Sequence, residues 1–206
     1  HRGSGPRRES RMSNDPTPYE AGTSTVPVAP SAHAPAASLP IAPGSAELTM
    51  SLLMTPDMAN FSGNVHGGAL LKLLDEVAYA CASRYAGRYV VTLSVDQVTF
   101  REPVHVGELV TFLASVNYTG RSSMEVGIKV ITEDIRVRSV RHTNSCFFTM
   151  VAVDEAGRPT LVPPREPQTD DERRRFEQGR QRREIRQELE SRYQAMREGM
   201  SMPAVD

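Results

Sequence analysis

Apolar and polar positions change rhythm several times along the 206 residues. AELTMSLLM (46–54) reads as a strand. TPDMANFSGNV (55–65) is dense in turn formers and predicts a loop. HGGALLKLLDEVAYACASRYAG (66–87) switches to a helical period and ends at Gly87, a suitable C-terminal stop. Four strand-like runs follow: YVVTLSVDQVTF (89–100), LVTFLASVNYT (109–119), SMEVGIKVITED (123–134) and VRSVRHTNSCFFTMVAVD (137–154). TGR near Gly120 marks a hairpin turn, and DEAGRP closes the last strand. One strand, one long helix and a meander of four strands predict an α+β fold. Its antiparallel sheet of about five strands carries the helix on one face.

The flanks follow other rules. Residues 1–45 hold 8 of the 15 prolines amid Ser, Ala and Gly, and predict a disordered tail. The opening HRGSGPRRESR is compatible with an appended segment ahead of a start at Met12. Within 156–206, GRPTLVPPREPQ predicts an extended linker. TDDE (169–172) has the form of a capping box opening a charged helix that runs to about Met196. Ile185, Leu189, Tyr193 and Met196 keep a helical spacing there. They suit either a contact with the domain or a neighbouring subunit, or a solvated helix. The domain itself is expected at 46–155.

Composition removes whole function classes. With 24 Lys and Arg against 25 Asp and Glu, the net charge is −1, which argues against a protein built to coat nucleic acid or anionic lipid. No apolar run reaches the roughly 18 residues of a membrane span, and no apolar leader opens the chain, so neither membrane insertion nor secretion is expected. Cys81 and Cys146 make no disulfide framework and read as small hydrophobes of a cytoplasmic protein.

The chemistry gathers around the helix. On a wheel, Leu70, Leu74, Val77 and Cys81 share one face, with Lys72, Glu76, Tyr79 and Ser83 opposite. Asp75 sits at the border beside Leu71, Ala78 and Ala82, which leave room for a ligand. Helix geometry alone favours a solvated Asp75 paired with Lys72. The preceding loop shifts that balance, because Asn60, Gly63, Asn64, His66, Gly67 and Gly68 crowd into nine residues. Glycines at a helix start admit a ligand to the backbone, and the amides there suit a carbonyl oxygen that becomes negative. Asp75 lies about two turns on, so loop donors and carboxylate are expected to face one reacting centre. His66 reads as a positioning residue rather than a base. GxSxG, CxxC, HExxH, Walker A and GxGxxG patterns are absent, which leaves a cofactor-free, metal-free site. Hydrolysis of an activated acyl group fits that equipment.

NVHGGALLKLLDEVA (64–78), VVTLSVDQVTFREPVHVGE (90–108), GRSSMEV (120–126) and CFFTMVAVDEAGRP (146–159), in this order, resemble the acyl-CoA thioester hydrolases of the hotdog superfamily. The similarity is to the brain-type cytosolic enzymes and their bacterial relatives, and it spans about 46–185. It implies a single hotdog domain, a long central helix wrapped by a curved sheet. It also implies a homodimer at least, a hexamer built as a trimer of dimers, and an acyl-CoA substrate. Matched residue by residue, it implies catalysis by Asn60 and Asp75, drawn from different subunits. Asp75 would serve as base or nucleophile, with the Gly67 and Gly68 amides as oxyanion donors. His66 and Asn64 would lie beside the substrate, and Arg121, Ser122 and Ser123 near the CoA nucleotide. A hotdog hydratase or dehydratase, or a non-catalytic acyl-CoA binder, is the alternative; Asn60 with Asp75 fits hydrolysis better.

Overall fold

Alternating apolar residues along 109–152 become three long strands whose buried faces turn to one helix. The computed structural model describes residues 43–199. In chain order these form β1 (Glu47–Leu53), α1 (Gly67–Ala86), β2 (Val90–Val95), β3 (Leu109–Thr119), β4 (Ser123–Asp134), β5 (Ser139–Ala152) and α2 (Asp170–Gly199). The expected disordered tail lies, to residue 42, outside the described residues. Pro43–Ser45, grouped with it by composition, lie against the end of α1, where the Gly44 N–H donates to the Tyr85 carbonyl at 2.9 Å.

Phe112, Val116, Met124, Val126, Phe148 and Met150 are buried from the sheet side, and Leu74, Val77, Ala78 and Cys81 from α1. The apolar helix face is thus the one the wheel identifies, and period-2 burial on the strands supplies its partner surface. Gly87 ends α1 in the left-handed conformation, at φ 61°.

The sheet has five strands, all neighbours antiparallel, in the order β1-β3-β4-β5-β2. The meander therefore has three strands, not four. β2 and β3 are joined by a long connection rather than a hairpin, so β2 crosses to pair with β5 and becomes an edge. β2 also stops at Val95, well short of 100. Arg186 of α2 takes the Asp96 carboxylate at 2.7 Å, and the chain then turns toward the start of α1, where the Phe100 ring lies against Gly67. The Val65 N–H donates to the Val104 carbonyl, and Arg141 grips the buried Glu108 through both oxygens at 2.7 and 2.8 Å. This connection braces the pre-helix loop.

α2 begins with the expected box: the Glu172 N–H donates to Thr169 Oγ1 at 3.2 Å, and the Thr169 N–H to Glu172 Oε2 at 3.1 Å. Its first half lies on the outer sheet face, where Phe176 meets the Tyr118 ring at 5.0 Å. Ile185, Leu189, Tyr193 and Met196 are exposed in this protomer. The Gln168 N–H, the Arg165 guanidinium and the Thr169 N–H hold the Glu172 carboxyl down at about 2. A carboxyl depressed by folding stabilises above its ordinary titration range, and that gain fades as pH falls toward the folded value. Glu172→Gln should therefore lose about 1 kcal/mol at pH 7, and thermal melts should show the gap to wild type narrowing from about pH 4.5 and closing near pH 2. A gap independent of pH would contradict the role given to the carboxylate.

Candidate active site

The loop before α1 is organised by Asn60. Its side-chain oxygen accepts the Ser62 N–H at 2.8 Å and the Asn64 N–H at 3.2 Å, and Gly63 closes the turn at φ 80°. Both backbone donors fix the amide, and the Asn60 NH₂ is left as the group able to donate outward. Phe61 beside it is fully exposed. Asn64 is held differently: its side-chain oxygen meets His105 Nδ1 at 2.8 Å. His66 caps α1, with Nδ1 accepting the Gly68 N–H at 2.9 Å, so Gly68 spends its amide on the cap. That leaves the Gly67 N–H as the donor at the positive helix end.

Asp75 is exposed at the seam between α1 and β2. The pairing with Lys72 does not form; Lys72 meets Glu76 at 3.7 Å. Thr92 Oγ1 instead donates to Asp75 Oδ1 at 2.6 Å. This contact pins one carboxylate oxygen, and Asp75 lines a cavity of about 400 Å³ together with Tyr79, Tyr89 and Val91. Thr92 was not recognisable beforehand, because a threonine on a strand reads as a β-branched sheet former.

The expectation that helix-start amides and Asp75 face one centre within a chain meets a distance problem. Eight residues separate Gly67 from Asp75, about 12 Å along the helix axis at 1.5 Å per residue. A hydrogen-bonded oxyanion and the base attacking its carbon need to lie within a few ångströms of the same carbonyl. Within one protomer Asp75 and Thr92 come together, while Asn60 and Gly67 sit at the other end of that span.

Arg121, Ser122 and Ser123 form the β3–β4 turn, closed by the Gly120 N–H on the Ser123 carbonyl at 2.8 Å. Ser122 and Ser123 line a groove of about 830 Å³ on the outer sheet face. Arg121 and Ser122 line an adjoining depression of about 370 Å³. Cys81 and Cys146 are buried, and burial pushes each thiol up to about 12, which leaves neither as a nucleophile at neutral pH. No helix among the described residues is long and apolar enough to cross a membrane.

A five-stranded antiparallel sheet curled on one long helix, with a helix carboxylate at the open edge strand, places the protein in the hotdog class. Residues 62–139 match the family model of the thioesterase superfamily. The chain is 57% identical over 140 residues to Protein VdlD of Helicobacter pylori, covering 68% of this chain and 80% of that protein. It is 36% identical over 132 residues to the cytosolic acyl coenzyme A thioester hydrolase of Rattus norvegicus, covering 63% of this chain but 35% of that longer protein. Among solved structures, an apo-hexameric acyl-CoA thioesterase aligns with a TM-score of 0.67 at 37% identity, over 70% of this chain and 92% of that one. The acyl-CoA hydrolase of Staphylococcus aureus, solved with butyryl-CoA and CoA, aligns with a TM-score of 0.69 at 29% identity, over 76% and 96%. Alanine variants of that hydrolase at an Asp, an Asn and a Thr are also among the matching structures. The chain belongs to the thioesterase superfamily.

Proposed function

We propose that this protein is a cytoplasmic acyl-CoA thioesterase that hydrolyses fatty acyl-CoA to the free acid and CoA. The Asp75–Thr92 pair, open to a cavity at the helix–strand seam, carries the reading. The similarity to proteins named as acyl-CoA hydrolases supplies the substrate class. In the Staphylococcus aureus hydrolase the substituted Asn, Asp and Thr are spaced fifteen and then seventeen residues apart, as Asn60, Asp75 and Thr92 are here.

The 12 Å span is resolved by a second copy. β2 is an edge strand, and Val91, Leu93 and Val95 along it, with Leu71 and Tyr79 beside Asp75, are exposed in one protomer. Unpaired edges and apolar surface of this kind ask for a partner. In a two-fold dimer through this edge, Asp75 and Thr92 of one subunit face Asn60 and Gly67 of the other, giving two equivalent sites. The hexameric relatives make a trimer of such dimers the natural assembly.

In the site, the unpinned oxygen of Asp75 takes a proton from water, whose oxygen attacks the thioester carbonyl; alternatively it attacks directly and forms an anhydride that water opens. The Asn60 NH₂ orients the water or carbonyl, and the Gly67 N–H receives the oxyanion. The C–S bond then breaks, and CoA leaves as thiolate, which needs no dedicated acid. His66 and Asn64 shape the loop that holds these donors. Thiol release from acyl-CoAs of short to long chain tests the reading. Turnover with at least one chain length is expected, and none from folded protein that still binds CoA would overturn it in favour of a binder.

A further inference from the structure

The tip of the loop that carries Asn60 has little to hold it in one protomer. Phe61, Ser62 and Gly63 are exposed, and the Phe61 ring is fully so. Inside the tip, Asn60 is paired with Asn64 through both main chain and side chain. Its N–H donates to the Asn64 carbonyl at 2.6 Å, and its side-chain oxygen accepts the Asn64 N–H at 3.2 Å. Whatever fixes Asn64 therefore fixes the amide of Asn60.

Among the described residues, hydrogen bonds tie this tip to one other segment, Val104 and His105 of the β2–β3 connection. The Val65 N–H donates to the Val104 carbonyl at 2.8 Å, and His105 Nδ1 meets the Asn64 side-chain oxygen at 2.8 Å. An amide oxygen only accepts, so Nδ1 carries the proton. The backbone contact fixes the base of the tip, and the imidazole is the side chain that reaches Asn64 itself.

His105 serves as an anchor because its own backbone is clamped. Its N–H donates to Glu108 Oε2 at 2.7 Å. The Glu108 side chain is 5% exposed and gripped by Arg141, whose Nη2 also donates to the Pro103 carbonyl at 2.8 Å. On the other side, the Gly107 N–H donates to the Met54 carbonyl at 2.8 Å, and the Met54 N–H to the Glu108 carbonyl at 2.9 Å. A buried ion pair with β5 and the residue after β1 thus hold the 103–108 turn. From that clamp the contacts run through one imidazole to Asn64, and from Asn64 to Asn60. The His105 ring is exposed, and an exposed hydrogen bond between neutral groups adds little to folding. Its effect falls on geometry, to which a reacting centre is far more sensitive.

We propose that His105 is a positioning residue for thioester hydrolysis, holding Asn64, and through it the Asn60 amide, in the orientation that meets water or the carbonyl. The proposal rests on the acyl-CoA hydrolase reading. Full-length wild type, His105→Ala and His105→Asn, each with and without Asn64→Ala, are compared on one acyl-CoA. In His105→Asn the side-chain nitrogen takes the place of Nδ1 and still donates to Asn64. His105→Ala should lower kcat about tenfold with KM within about twofold, and His105→Asn should recover most of that loss. In the Asn64→Ala background, where the acceptor is gone, His105→Ala should cost less than about twofold more. A side chain that only packed would cost the same in both backgrounds. That result, or an unchanged kcat in His105→Ala, would overturn the proposal and leave the hydrolase reading intact. Hydrogen exchange of the Ser62 and Asn64 amides is a readout independent of turnover, and should speed up by at least about fivefold in His105→Ala but not in His105→Asn. Wild type that released no thiol from any acyl-CoA would overturn the hydrolase reading. Exchange would then still decide whether His105 holds the loop, with unchanged exchange in His105→Ala overturning that as well.

Discussion

Replacing Asp75 by Asn should lower kcat for acyl-CoA by about 10³-fold while KM stays within about threefold. Asn retains the volume of the side chain and an oxygen that accepts from Thr92 Oγ1, now at 2.6 Å from Asp75 Oδ1. What it lacks is basicity and nucleophilicity at the second oxygen, which both routes of hydrolysis use. Thr92→Val should cost less, about tenfold, because it frees the carboxylate to rotate without removing it. Retention of more than a tenth of wild-type turnover by Asp75→Asn would remove Asp75 from the chemistry. Mixing two inactive variants then tests the division between subunits. Asp75→Asn subunits combined with Asn60→Ala subunits form heterodimers in which one of two sites has both native residues. About a quarter of wild-type activity per site should return. No recovery from subunits shown to exchange would place both residues in one protomer's site.

The sequence made some of this legible because the relevant signals are local. The α1 wheel sorted Leu70, Leu74, Val77 and Cys81 from Lys72 and Glu76 because helix periodicity is a property of neighbours in the chain. The limits of β3 and β4 fell at 109–119 and 123–134 as expected, since a tight turn at Gly120 forces the pairing. The capping box of α2 was legible for the same reason. The order of the sheet was not, because β2 finds β5 over a separation of about 53 to 62 residues and nothing in YVVTLSV encodes that choice. The partner of Asp75 was missed on the same ground: Lys72 is near in sequence, Thr92 only in space. Within one protomer the helix-start donors and the carboxylate are kept apart by length alone, since two turns of helix is a short sequence interval and a long chemical one.

Arg182 and Arg186 of α2 give the second large effect expected. The Glu125 side chain is 1% exposed and is held by Arg182 at 2.6 Å, Arg186 at 3.0 Å and Asn117 at 3.3 Å. The Arg182 guanidinium also lies 3.6 Å from the centroid of the Phe147 ring, and Gly179 lets the helix close over Glu125 and Tyr118. Removing both guanidinium groups in Arg182→Ala with Arg186→Ala strands a buried carboxylate, a change that typically costs about 3–5 kcal/mol. If α2 stayed in place, Tm would fall by roughly 10 °C or more for a domain of this size. The chain has a cheaper response, which is to lift α2 and return Glu125 to water. The expected result is therefore early proteolytic cleavage between about residues 160 and 185, together with a smaller fall in Tm. Adding Glu125→Gln to the double variant should recover part of the loss, because a neutral amide is far easier to bury than a charge. Unchanged proteolysis and a Tm within about 2 °C of wild type would show that the ion cluster does not hold α2.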